Sequence, residues 1–126
     1  MEDSILLTIK HKLGLPYDDS HFDSDIIIDI NLALSYLNRL GIGELDESFS
    51  ISGVDSKWTD LFETEMLNYI KEYVFLYVKL LFDPPSNSFL VDSVKTELNK
   101  LEWLINVDAE KNKLYSGYVD DLFVET

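Results

Sequence analysis

At 126 residues the chain is the size of one domain, and an apolar content of 46% is enough to build a core. It contains no cysteine, which excludes disulfides, thiolate metal sites and a cysteine nucleophile. Its net charge of −14, from 24 acids against 10 lysines and arginines, opposes close contact with nucleic-acid phosphate and excludes DNA reading; a merely soluble acidic surface, DNA mimicry and a surface past which DNA slides all stay open.

Ile5, Ile9 and Leu13 stand at four-residue spacing with Leu6 beside them, and Gly14 and Pro16 follow. This predicts an amphipathic first helix over residues 2–13 with a glycine at its C-terminal end. The opening residues hold acids and a short apolar run from Ile5 to Leu7, so neither a signal peptide nor a spanning helix is expected, and the product is expected to be soluble and cytoplasmic when made. Asp23 or Ser24 is the expected cap of a second helix, whose stripe is Ile26, Ile30, Ala33, Leu34 and Leu37 and whose stop is Gly41.

Between residues 41 and 56 the helical period disappears, with Phe49, Ile51 and Val54 hinting at a short extended piece. A connection of that length is either a mobile surface insertion or a loop that lines a channel or meets a partner. A third helix is expected to begin at residues 56–59 and run to Phe82. Its second half, from Tyr73 to Phe82, is apolar on every side except Lys79, and it is too short to span a bilayer. A helix apolar all round requires burial all round. Either it is a central helix wrapped by the others, or about half of it faces its own core and the rest, with Phe75, Leu76, Val78 and Phe82, meets another subunit or partner.

Pro84 and Pro85 lack backbone N–H donors and end that helix near Asp83, while Ser86, Asn87 and Ser88 offer caps for the next one. The fourth helix is expected over residues 89–106, with Leu90, Val94, Leu98, Leu101 and Ile105 on one stripe and Trp103 off it. An off-stripe tryptophan marks a contact, with a partner or with a neighbouring helix of the same chain. After Asn106 the helical period is lost and Tyr115, Tyr118, Val119, Leu122 and Phe123 stand among acids. Residues 107–126 are therefore expected to be an extended tail that docks on another chain, or one that folds back or frays.

No set of residues composes an active site. Asp23, Asp25 and Asp29 fail the calcium-loop pattern, because Ile27, Ile28 and Leu34 stand where an oxygen ligand, glycine and glutamate are needed. His11 and His21 lack the spacing of a zinc site or a triad. Glu44, Asp46 and Glu47 cluster in the long loop, where a solvated charge run explains them. Glu65, Glu72, Glu97 and Glu102 lack the Glu-x-x-His partners of a bundle metal centre. No cofactor and no metal are expected. The fold class expected is all-α: a small four-helix domain over residues 1–106, with a long loop between helices two and three, and the tail.

The motifs together resemble a known family. Leu13-Gly14, Phe22-Asp23 leading into Ile30-Asn31-x-Ala33 and Leu40-Gly41, Trp58 opening a helix, Asp83-Pro84-Pro85-x-Asn87-Ser88-Phe89, and Glu97-Leu98 to Glu102-Trp103 are similar to the head-tail connectors of tailed double-stranded DNA phages, over residues 5 to 106. The resemblance implies a non-enzymatic adaptor, or head-completion protein, of the virion neck. It implies a ring of about a dozen subunits that docks under the portal protein after packaging, extends the DNA channel and receives the next neck or tail protein. DNA would pass without specific binding, and no membrane is involved. The expected subunit interface comprises Phe75, Leu76, Val78, Phe82, Phe89 and Trp103. The docking segment carries Tyr115, Tyr118, Val119, Leu122 and Phe123, and Glu44, Asp46 and Glu47 face the channel. The alternative is an acidic DNA mimic that inhibits a nucleic-acid-binding protein.

Overall fold

The computed structural model describes residues 3–42, 49–62 and 65–125, with side chains as far as residue 109. These residues form five helices and no strand: α1 (Ile5–Leu13), α2 (Asp23–Arg39), α3 (Trp58–Leu61), α4 (Leu67–Phe82) and α5 (Ser88–Glu125). The all-α class is as the sequence predicts. Two boundaries differ. The expected third helix is divided into α3 and α4, because Phe62 leaves α3 in extended conformation (φ −129°, ψ 124°) and turns its ring into the core beside Trp58 and Phe49. The expected break near Asn106 is absent: the backbone helix of α5 continues to Glu125. Residues 107–125 are thus helical in backbone where an extended segment is expected.

Ser4 caps α1, its hydroxyl accepting from the Leu7 amide (3.3 Å), and Gly14 closes the helix in the left-handed region at φ 82°. Asp23 does not cap α2. Phe22 holds the cap position without a side-chain bond, because the Asp23 carboxylate is turned to Lys10 at 2.9 Å. Lys10 lies on the apolar side of α1 and is only 1% exposed. Its ammonium also donates to the carbonyls of Asp19 (2.7 Å) and Tyr17 (3.3 Å), so one buried charge fastens the α1–α2 connection.

α4 is the central helix. α2 and α5 pack along it, α1 packs against both α2 and α4, and no residue from 70 to 80 is exposed. Most of the apolar side chains on this helix are therefore covered within the chain itself, as in a central helix, while Tyr69 and Leu81 are exposed and Phe82 is half-buried. Asp83 ends α4 ahead of the two prolines, and Asn87 starts α5, its side-chain oxygen accepting from the Phe89 amide at 2.7 Å.

The second half of the long loop is fastened to the domain. Ile51 is buried, Ser4 donates through its hydroxyl to the Val54 carbonyl (2.7 Å), and the Ile5 amide donates to Ser56 (3.1 Å) while the Trp58 amide donates to Asp3 (2.9 Å). These bonds clamp the start of α1 against residues 54–58. Trp58 fills the space behind the clamp, fully buried, with its indole N–H on the Thr8 hydroxyl at 3.2 Å.

Candidate functional site

With the core filled by α4, the apolar surface left over lies on the outer helices. On α5 the inward stripe is Leu98, Leu101 and Ile105, and Phe89 (74% exposed) and Trp103 (65% exposed) face outward with Leu104 and Val107. Phe89 and Trp103 stand fourteen positions apart in the sequence, close to four whole turns, so they share a face over about 21 Å of helix. Between them Thr96, Asn99, Lys100, Trp103 and Leu104 line an open groove of about 520 Å³. An indole this exposed beside aliphatic side chains is the composition of a contact surface rather than of a solvated helix face.

A second outward face runs along α2. Ile28, Leu32 and Tyr36, each one turn after the last, are all exposed, and Leu32, Ser35, Tyr36 and Arg39 line a shallow depression of about 190 Å³. These two faces lie on different helices, α2 and α5, each packed on α4. They are different in composition as well, so contact between them across two copies would be heterologous, the kind that closes rings or extends filaments.

A polar seam sets the angle of α5 on α4. The fully buried Tyr73 donates its hydroxyl to Glu102 at 3.0 Å, next to Trp103. Burial, and then the adjoining Glu102 carboxylate, hold the Tyr73 hydroxyl protonated well above the ordinary tyrosine range. The Tyr77 hydroxyl is pushed up to about 12, first by burial and then by its hydrogen bond with Tyr36. Asn106 donates to the Leu40 carbonyl at 3.1 Å, tying α5 to the end of α2, and Gly41 lets the two helices approach closely.

Of the six residues expected at a subunit interface, Phe89 and Trp103 are exposed, Phe75 and Phe82 are half-buried, and Leu76 and Val78 belong to the chain's own core, with 9% and 0% exposure. Leu76 and Val78 therefore have no surface to offer a partner. The all-round apolar pattern does not distinguish them from Phe75, Leu81 and Phe82, which the other helices cover only in part. Tyr115, Tyr118, Val119, Leu122 and Phe123 lie on the backbone helix of α5 beyond the described side chains, and Glu44, Asp46 and Glu47 lie outside the described residues.

Three structural features escaped the sequence reading: the buried Lys10, the Asn31 side chain and the Tyr73–Glu102 pair. Lys10 carried a visible signal, since it falls four residues after Leu6 on the apolar side of α1 and has Asp18, Asp19 and Asp23 within reach along the chain. Asn31 carries no signal beyond its place in a motif, and Glu102 none that points to a hydroxyl partner on another helix.

Among the described residues no group of three or more His, Cys, Asp or Glu side chains could hold a metal ion, and no described helix is long and apolar enough to cross a membrane. No curated protein and no solved structure matches the chain. Residues 5–112 match the family described as phage connector protein, a span that begins with α1, contains α2, α3 and α4, and ends within α5. A helical domain with a core of its own and exposed apolar side chains left on α2 and α5 is in keeping with that match, and the chain belongs to the phage connector family, structural proteins of the phage neck.

Proposed function

We propose that the protein is a head-tail adaptor that assembles as a ring of about a dozen subunits under the portal after DNA packaging. In this reading the ring extends the DNA channel and gives the next neck or tail protein its platform. The observation that carries it is the outward face of α5, where Phe89 and Trp103 are left in water by a subunit whose core needs neither. Burying two such rings on a neighbour supplies about 1.5–3 kcal/mol or more each, multiplied around a closed ring. The exposed α2 face is the complementary partner, with Leu32 and Tyr36 receiving the neighbour's α5. Phe75 and Phe82, half-buried at the edges of α4, contribute at the margin.

The last part of α5, carrying Tyr115, Tyr118, Val119, Leu122 and Phe123, is the docking element for the portal. The acids Glu44, Asp46 and Glu47 face the lumen, where they repel DNA from the wall. Replacing those three by lysine is expected to slow DNA ejection, and unchanged ejection kinetics would count against a lumenal position.

Sedimentation over a concentration series, with electron images of the largest species, tests the assembly directly. Closed rings with a central hole are expected, and Trp103→Asp is expected to shift the population to monomers. Rings that persist undiminished in Trp103→Asp would remove the α5 face from the interface.

A further inference from the structure

Where the N-terminal end of α2 meets the C-terminal end of α4, the two helices leave an open cleft of about 630 Å³, within the roughly 300–1,000 Å³ range of ligand clefts. Its apolar lining is Phe22, Ile28, Leu81 and Phe82, with Leu15 at one side. The rings of Phe22 and Phe82 meet edge to face with centroids 5.4 Å apart, which fixes one wall, and Ile28 and Leu81 are both exposed. Into this apolar surface project three carboxylates, those of Asp25, Asp29 and Asp83. Asp83 is held by Lys79 at 2.9 Å, one turn back on its own helix. Asp25 and Asp29, one turn apart on α2, have no cationic partner among the described residues.

Apolar walls with two uncompensated carboxylates call for an occupant that is apolar and cationic at once. A second copy of this chain fits poorly: it brings a net charge of −14, and its one arginine, Arg39, lies on the α2 face assigned to the ring contact. We propose that this cleft receives a short segment of a partner protein in which an arginine adjoins a large aliphatic or aromatic side chain. The guanidinium lies between Asp25 and Asp29, where its planar fork serves two carboxylates at once, and the apolar neighbour rests on Phe22, Ile28 and Leu81. Lysine, a point charge, is the weaker ligand here. The cleft is separate from the outward face of α5 and adjoins the proposed α2 contact only through Ile28 and Phe82, so Trp103→Asp tests the ring and the arginine preference tests the cleft, each without the other.

The test is a titration of the full-length, isotopically labelled chain followed by backbone amide shifts. The probes are acetyl-Gly-Leu-Arg-Phe-Gly-amide and the same peptide with citrulline for arginine, which keeps the shape and removes the charge. Saturable shifts are expected at Phe22, Ile28, Asp29 and Leu81, with the citrulline peptide about tenfold weaker. The Asp25→Asn/Asp29→Asn protein, isosteric and checked by its melting profile, is expected to lose that preference, and Trp103→Ala is expected to keep it. Absence of saturable shifts at the cleft, equal binding of the two peptides, or a preference that survives in the double variant would each overturn the proposal. So would amides of Phe22 and Leu81, which lie outside the proposed ring contact, that shift with protein concentration alone, since a second copy would then be the occupant.

Discussion

The side-chain amide of Asn31 on α2 closes two hydrogen bonds on the backbone of Ile51: its Nδ2 donates to the Ile51 carbonyl at 3.0 Å, and the Ile51 amide donates to its Oδ1 at 2.7 Å. In effect α2 offers the loop one residue's worth of strand pairing. A buried position twenty residues away in sequence gains both its backbone partners, and Ile51 enters the core without orphaning its peptide groups.

Asn31→Ala is therefore expected to cost about 1–3 kcal/mol, because a buried donor and acceptor lose their partners together. Urea denaturation gives the magnitude. Amide exchange at Ile51 and its neighbours separates this from a general loss of stability, since the loop is expected to open at lower free energy than α4. Asn31→Asp keeps the acceptor but sets a carboxylate against the Ile51 carbonyl, and is expected to be no better than alanine.

Lys10 gives a sharper contrast. Lys10→Met keeps the length and apolar body of the side chain but strands the Asp23 carboxylate and the carbonyls of Tyr17 and Asp19. Breaking a buried pair from one side costs about 3–5 kcal/mol. Adding Asp23→Asn removes the stranded charge, and the double variant is expected to recover part of the loss in denaturant unfolding. No recovery would mean that the carbonyl contacts, rather than the ion pair, hold the α1–α2 connection.

Gly41 follows α2 at φ 100°, and a Cβ placed there would lie 3.3 Å from the Cβ of Ala109 on α5. Gly41→Ala meets two penalties, backbone strain of about 1–3 kcal/mol and a crowded approach of α5. Ala109→Gly in the same chain relieves only the crowding. Thermal unfolding of the double variant is expected to stay closer to Gly41→Ala than to the parent protein.

Asp29 supplies a pH signature. Burial, and then the neighbouring Asp25 carboxylate, raise its pKa above the usual aspartate value. The folded state therefore binds a proton more readily than the unfolded chain, so the ionised form costs stability at neutral pH. That cost is relieved as pH falls through the folded pKa, and it is gone below the unfolded value near 3.8. Asp29→Asn is expected to be more stable than the parent at pH 7 and to lose that advantage in acid. Denaturant midpoints at pH 7 and in mild acid check both signs.

How much of this could be read in advance varies with the kind of signal. Periodicity found α2 and, from Leu98 on, the inward stripe of α5, although Leu90 at its start is exposed, and the Asp83-Pro84-Pro85 turn fell where backbone chemistry requires it. Periodicity cannot say whether an all-round apolar helix is central or intersubunit, because both demand the same side chains; the covering of residues 70–80 by α1, α2 and α5 is a tertiary fact. The division of α3 from α4 depends on Phe62 abandoning helical dihedrals for a place beside Trp58 and Phe49, a preference of the core and not of the local sequence. The continuation of α5 past Asn106 runs through glycine and clustered aromatics, which weaken the helical pattern without breaking the backbone.

The two tryptophans put the assembly surface to its plainest test. Trp58 is fully buried between α1 and the loop, while Trp103 is 65% exposed on α5. Trp58→Ala is expected to cost about 3–5 kcal/mol through the cavity it leaves. Trp103→Ala is expected to change the unfolding free energy of the isolated subunit by no more than about 0.5 kcal/mol, because water already covers most of the ring. If the α5 face is where subunits meet, sedimentation must reverse that order, with Trp103→Ala weakening assembly more than any comparable loss of monomer stability can explain. Indole fluorescence supplies an independent readout: in Trp58→Phe, the emission of Trp103 is expected to move to shorter wavelength as the protein concentration carries it into rings. Emission that stays at the position of a solvated indole through the whole assembly range would show that Trp103 remains in water, and that the subunits join by another face.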